Sequence, residues 1–269
     1  MGTNKRARKK ENRKQRLDQM ARQSQRRRQR SVGVRIAIVL AIIVGIAGIF
    51  SVSGDDATQT TDTTVATTPA APTPDGRVIT GETPCPAKDG SEERAVQFDQ
   101  APPACIEPGV TYTAMVKTNK GDFSIVLDPA KAPLAVNNFV VLARYRYYDA
   151  TNCHRAISNF VVQCGDPTAT GSGGPGYQFA DELPAAGEYT LGSIAMANSG
   201  SNTNGSQFFI ITGDDGINLP PNYTLFGQVT DGLDSTIPAL NAASNPDPAA
   251  NGVPPSEPLV IESVTIIES

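Results

Sequence analysis

CHRAISNFVVQCGDP, from Cys153 to Pro167, and MANSGSNTNGSQFFI, from Met196 to Ile210, are the two stretches that decide how this chain reads. In the first, Asn152 to Ile157 and Phe160 to Cys164 are short β-prone runs on either side of Ser158 and Asn159, which predicts a hairpin with a two-residue turn. Counting outward from that turn sets Cys153 opposite Cys164, a cross-strand pair suited to a disulfide. The same count puts His154 and Arg155 on the first strand. A lone arginine on a strand is ordinarily solvated or ion-paired, and Phe160, Phe208 and Phe209 taken singly read as core.

The sequence around this hairpin continues in short strands. Tyr112 to Thr118 and Asp122 to Leu127 alternate in character about the turn-forming Asn119, Lys120 and Gly121. Pro133 suits the first turn of a helix, and Val136, Phe139, Val140 and Ala143 then recur at helical spacing, with Asn137, Asn138 and Arg144 off that stripe. After a glycine-rich loop, Gly171 to Gln178, further β-like runs lie at Ile194 to Ala197, Gln207 to Thr212, Leu225 to Val229 and Leu259 to Ile267. Many short strands with turn clusters and few helices predict a mostly β, closed antiparallel barrel.

Upstream the composition changes. The net charge of −4 conceals an asymmetry, since residues 1–35 are crowded with Lys and Arg (KRARKK, RRRQR) against only Glu11 and Asp18. Residues 36–52, IAIVLAIIVGIAGIFSV, carry no charge and are nearly long enough, at ~1.5 Å per residue, to cross a ~30 Å hydrocarbon core. Basic residues beside such a helix stay cytoplasmic. The expectation is therefore a single-pass cell-membrane protein with a cytoplasmic tail and an extracytoplasmic body; a cleaved signal would export the body equally. The basic tail suits anionic lipid better than nucleic acid, given its place beside the apolar segment. Residues 53–82, rich in Thr, Ala, Pro and Asp, read as a disordered linker. Residues 83–109 form a cysteine-containing extension that either wraps the folded body or belongs to the stalk, and residues 110–269 are the principal domain.

Cys85, Cys105, Cys153 and Cys164 all fall on the exported side, where disulfides persist. Three pairings are open; local closure, 85 with 105 and 153 with 164, is preferred. A single histidine and no C-x-x-C pair argue against a zinc site, and no cofactor is expected. The glycine-rich loop lacks the GK[ST] ending of a phosphate loop, and no G-x-S-x-G elbow accompanies His154.

Taken together, the two opening blocks resemble the cyclophilin patterns FHR-x-I-x-x-F-x-x-Q-G-G-D and MAN-x-G-x-NTNGSQFFI, and the GPGY loop and LFGQV (Leu225 to Val229) extend the likeness over Tyr112 to Ser269. The resemblance implies a cyclophilin-like closed eight-stranded antiparallel barrel with two helices, and peptidyl-prolyl cis-trans isomerase activity on proline-containing segments of exported proteins. It implies Arg155, Gln163 and His154 as catalytic residues. Phe160, Val161, Phe209 and Leu219 would line the proline pocket, with Ala197, Asn198, Ser199, Gln207 and Tyr223 completing the substrate groove. The chain departs from the family where Cys153 replaces Phe, Cys164 replaces Gly, Val161 replaces Met, Asn218 stands for Trp and Tyr223 for His. The competing reading is a tethered module that binds proline peptides without turning them over.

The chemistry suits these residue types. The transition state for X-Pro rotation frees the amide nitrogen's lone pair, and a permanently charged guanidinium can hydrogen-bond it. A thousandfold acceleration needs ~4 kcal/mol, whereas one charged hydrogen bond contributes ~1.5 to 3 kcal/mol. Arg155 therefore needs an apolar, desolvated pocket beside it.

Overall fold

The structure, a computed structural model, describes residues 75–269. The basic tail, the spanning segment expected over 36–52 and the linker up to residue 74 lie outside the described residues. Among the described residues no helix is long and apolar enough to cross a membrane.

Tyr112–Thr118 (β3) and Phe123–Leu127 (β4) form the expected antiparallel hairpin, and their burial alternates as the residue pattern requires. Pro133 opens α1, Pro133–Arg144, whose Phe139 ring stacks on Tyr148 at 5.0 Å and meets Phe208 and Phe226 at 5.5 and 5.4 Å. Those aromatic rings, each contributing about 1.5–3 kcal/mol of burial, centre the main core between helix and sheet. The strands that follow are Thr151–Asn152 (β5), Arg155–Ile157 (β6), Val161–Cys164 (β7), Ser193–Met196 (β8), Phe208–Ile211 (β9), Leu225–Asp231 (β10) and Val260–Glu268 (β11). Short helices Asp214–Ile217 (α2) and Thr236–Ala242 (α3) complete the domain.

The sheet has nine strands, in the order β5-β11-β3-β4-β10-β8-β9-β7-β6, with antiparallel neighbours throughout. This corrects the expected closed eight-stranded barrel with two helices: the sheet is curled with an open ladder, and the described residues hold three α-helices. The strand expected over Asn152 to Ile157 is broken at Cys153 and His154, so its halves pair at opposite ends of the sheet. The chain itself links the two edges. Cys153 leaves the ladder to bond Cys164, and its N–H donates to Leu259 O at 2.8 Å.

The extension ahead of the domain is ordered. Arg77–Ile79 (β1) and Ala95–Phe98 (β2) make a two-stranded parallel sheet, so the linker expected through residue 82 yields to regular structure at Arg77. The cause is Phe98, 1% exposed, which packs edge-on against Tyr145 and Tyr177 and holds β2 to the body. Cys85 is bonded to Cys105. Asn137, on α1, accepts from the N–H groups of Cys105 and Ile106 at 2.7 and 3.2 Å and donates to Pro103 O at 2.8 Å. The extension therefore wraps α1, and the helix is buried around its whole circumference from Ala135 to Arg144, not on the one stripe its spacing suggests.

Candidate active site

The hairpin turn decides the site. Ser158, Asn159 and Phe160 form a three-residue turn, with Asn159 at φ 58°, in place of the expected two-residue one. The register moves by one, and Gln163, not Val162, stands opposite Arg155. The ladder continues the row: Gln163 faces Phe209, Phe209 faces Ala195, and Ala195 faces Leu225. These residues lie on the outer face of the sheet. The neighbouring row, Ala156, Val162, Ile210 and Ile194, is buried in the main core. Period-two alternation thus makes one side of these strands the core and the other a separate apolar floor of Val161, Ala195, Phe209 and Ile211.

On that floor is a cavity of about 110 Å³ lined by Arg155, Phe160, Val161, Gln163, Ala197, Asn198, Phe209, Leu219 and Tyr223. The Tyr223 ring stands edge-on to Phe209 at 5.2 Å. Tyr189 fixes it, donating its hydroxyl to Tyr223 O at 2.7 Å and accepting from Tyr223 N at 3.2 Å. Asn198 commits its side chain to Asn222 O at 2.9 Å. Asn218, exposed at the end of α2, turns its amide back to Asp214 O at 2.7 Å and is not among the residues that line the cavity.

Arg155 is held by uncharged partners. Its Nη1 donates to Gln163 Oε1 at 3.3 Å, Nε to Asn251 O at 3.1 Å and Nη2 to Asn251 Oδ1 at 3.0 Å. With no carboxylate among these partners, the positive charge is left to the groove. Burial lowers the guanidinium pKa from its usual value, and the nearby Tyr223 opposes that shift.

Gln163 is oriented from behind. Its Nε2 donates to Gln207 Oε1 at 2.8 Å, and Gln207 Nε2 in turn donates to Gly171 O and Gly173 O at 3.0 and 2.8 Å. Because the Gln207 amide is committed to two carbonyls, Gln163 must present its oxygen to Arg155. The glycine-rich loop is itself tied to Asp166, fully buried, which accepts from the N–H groups of Thr168, Thr170, Gly171 and Gly173. Burial raises the Asp166 pKa, but the hydrogen bonds from Thr168, Gly173 and Gly171 outweigh it and leave the carboxyl below the usual range. The N–H groups of Gly171 and Gly173 thus converge on a protein carboxylate.

His154 lines neither this cavity nor the larger one beside it. It is buried, 6% exposed, and packs against Gly171, where an added Cβ would come within 3.3 Å of its Cδ2. Burial lowers its pKa, Arg155 adds to that, and Asp166 opposes it. The structure therefore does not bring His154, expected as a catalytic residue, into the cavity with Arg155 and Gln163, and places it against the glycine-rich loop at Gly171. Ser199 and Gln207 line the larger cavity only. Sequence reasoning missed Asn251 and Asp166. Asn251 had only its Asn-Gly turn dipeptide to mark it, and nothing local links it to Arg155, 96 residues away.

Residues 113–266 match the family model described as cyclophilin type peptidyl-prolyl cis-trans isomerase/CLD. The chain belongs to the cyclophilin family. It is 41% identical over 175 residues to the peptidyl-prolyl cis-trans isomerase A of Mycobacterium tuberculosis (strain CDC 1551 / Oshkosh), covering 59% of this chain and 94% of that one. It is 38% identical over 172 residues to the "Probable peptidyl-prolyl cis-trans isomerase B" of Mycobacterium leprae (strain TN), covering 58% of this chain. There the match spans only 57% of the relative's length. A crystal structure of a cyclophilin-type isomerase from Cryptosporidium parvum, in the presence of the dipeptide Ala-Pro, superposes with a TM-score of 0.52 at 33% identity, covering 58% of this chain and 99% of that one. Residues 75–110 of this cyclophilin, which form β1, β2 and the α1 wrap, lie ahead of the family match.

Proposed function

We propose that this cyclophilin is a peptidyl-prolyl cis-trans isomerase in which Arg155 stabilises the twisted prolyl amide. The observation that carries the reading is a guanidinium held, among the described residues, by uncharged partners beside a small cavity with an apolar floor. The prolyl ring seats against Phe160, Val161, Phe209 and Leu219 while the preceding carbonyl side turns. As the nitrogen pyramidalises, Arg155 donates to its freed lone pair, an interaction absent from the planar ground state. That differential contact contributes about 1.5–3 kcal/mol, and desolvation in the cavity supplies the rest of the ~4 kcal/mol a thousandfold acceleration needs.

The setting we propose is extracytoplasmic, with residues 36–52 as a membrane anchor and exported, incompletely folded proteins as substrates. Both disulfides of the described domain support an oxidising compartment. The basic tail and the uncharged run after it support the orientation. Protease treatment of intact cells tests this: the domain is digested if external and protected if cytoplasmic.

Activity is tested by measuring prolyl isomerisation of a short X-Pro peptide by the full chain and by Arg155→Ala. Acceleration by the wild type and its loss in the variant are expected. Equal rates for both, matching the uncatalysed reaction, would reduce the site to a peptide-binding module.

A further inference from the structure

We propose that Gln97, delivered by the extension, is a specificity-determining residue of the substrate groove, and that the chamber it faces takes a neutral polar side chain flanking the isomerised proline. The proposal rests on the isomerase reading above and names part of its substrate class.

The chamber is a cavity of about 740 Å³ that adjoins the proline pocket, sharing Gln163, Ala197 and Asn198 with it. A polypeptide whose proline is seated in the smaller cavity must pass its neighbouring residues over this opening. One wall is built from outside the family-matched segment, because Gln97 of β2 lines it. Strand β2 is pinned on both sides of that residue: Ala95 N–H donates to Tyr145 O at 3.0 Å and Phe98 N–H to Pro175 O at 2.8 Å. Ala95, Val96 and Phe98 are buried while Gln97 is exposed. The approach of β2 to the chamber loop depends on Gly176, at φ 104°, where a Cβ would lie 2.3 Å from both Gln97 Nε2 and Phe98 O. Gln97 is therefore built into the groove by its backbone and presents an amide that can both donate and accept.

The chemistry of the walls selects the guest. Among the described residues no Asp, Glu, Lys, Arg or His lines the chamber, and its polar groups are amides, hydroxyls and main chain. A charged side chain entering it would lose water without meeting a counter-charge. An apolar one would strip water from the amides without replacing their hydrogen bonds. A side chain such as Gln or Asn answers both the donor and the acceptor of Gln97.

The test uses the full chain and a set of proline peptides in which Ala, Gln, Leu, Glu or Lys occupies each of the three positions on either side of the proline, with kcat/KM read for each. At one position the wild type is expected to favour Gln over Leu by about three- to tenfold, the worth of one neutral hydrogen bond. Gln97→Ala lowers that ratio toward one. Gln97→Glu moves the preference at the same position from Gln to Lys, a change that a merely structural role for Gln97 would not produce. A wild-type ratio below twofold at every position, or a Gln97→Glu variant that keeps the wild-type order, overturns the proposal. The alanine peptide separates the two readings, because its turnover by the wild type upholds the isomerase function whatever becomes of Gln97, and absence of turnover with every peptide sinks that function itself.

Discussion

Asn251 grips Arg155 twice, accepting from Nε on its main-chain oxygen at 3.1 Å and from Nη2 on its side-chain oxygen at 3.0 Å. The grip depends on backbone shape, since Asn251 closes a 3-10 turn, Pro248–Ala250, in the left-handed conformation at φ 50°. Two of the guanidinium's nitrogens are thereby held on one residue, and Gln163 engages the remaining one.

Asn251→Gly keeps the left-handed backbone, which glycine adopts freely, and removes only the side-chain acceptor. The main-chain bond remains, so Arg155 is loosened without being released. We expect kcat/KM to fall by about three- to tenfold, mostly in kcat, with little change in melting temperature. Asn251→Asp should lower activity as well, by placing a counter-charge on the guanidinium. A peptide isomerisation assay on both variants checks this.

Asp166→Asn should be costly to the fold. Asp166 is fully buried and accepts from four main-chain N–H groups and the hydroxyls of Thr168 and Thr170. An asparagine must turn its own NH2 toward some of those donors. We expect about 2–4 kcal/mol of destabilisation by urea unfolding. Where the variant folds, kcat/KM should drop because Gln207, and through it Gln163, loses its fixed orientation.

Acid should weaken the protein through His154. Its folded pKa is lowered from 6.5, chiefly by burial, so between the two values the unfolded chain binds a proton that the folded chain does not. The stability it contributes is present above about pH 6.5 and is lost as pH falls through the folded value. The chain has one histidine, so this window has one side chain of that type to assign it to. Unfolding free energy followed from pH 7.5 to 5 should decline in the wild type, with a shallower slope in His154→Gln.

Removing the Cys153–Cys164 bond should cost about 3 kcal/mol by the loop-entropy estimate for a separation of 11 residues. Both cysteines are buried, 5% and 1% exposed, so the paired substitution to alanine is a cleaner test than serine. Because Cys153 and Cys164 flank Arg155 and Gln163 in the chain, the double variant should also lose activity, by less than tenfold. Chemical unfolding, with a thiol assay on the denatured wild type to confirm the bond, measures both effects.

Much of the site was legible because it is local. Period-two alternation in Tyr112–Thr118 and Phe123–Leu127, the proline at the start of α1, and the two blocks around Arg155 and Phe209 are contiguous in the chain, and β3, β4 and α1 sit where those patterns put them. The hairpin turn was less legible. Ser158-Asn159 and Ser158-Asn159-Phe160 are both acceptable turns to a local reading, yet they differ by one residue in register. Packing of Ala156 and Val162 into the main core selects the second, and so puts Gln163 across from Arg155.

The sequence by itself determined a mostly β domain, through strand periodicity, and the resemblance of its two long blocks to the cyclophilin patterns implied that Arg155, Gln163, Phe160 and Phe209 share one site, because both are properties of neighbours in the chain. Only the tertiary structure decided what holds them. Asn251 reaches Arg155, Asp166 braces the loop behind Gln163, and Gln97 comes in from an extension that composition alone leaves between wrap and stalk. Hydrogen bonds between groups far apart in sequence depend on the curl of the sheet and on which aromatic ring pins which strand. Those are outcomes of packing the whole domain at once, and no local pattern encodes them.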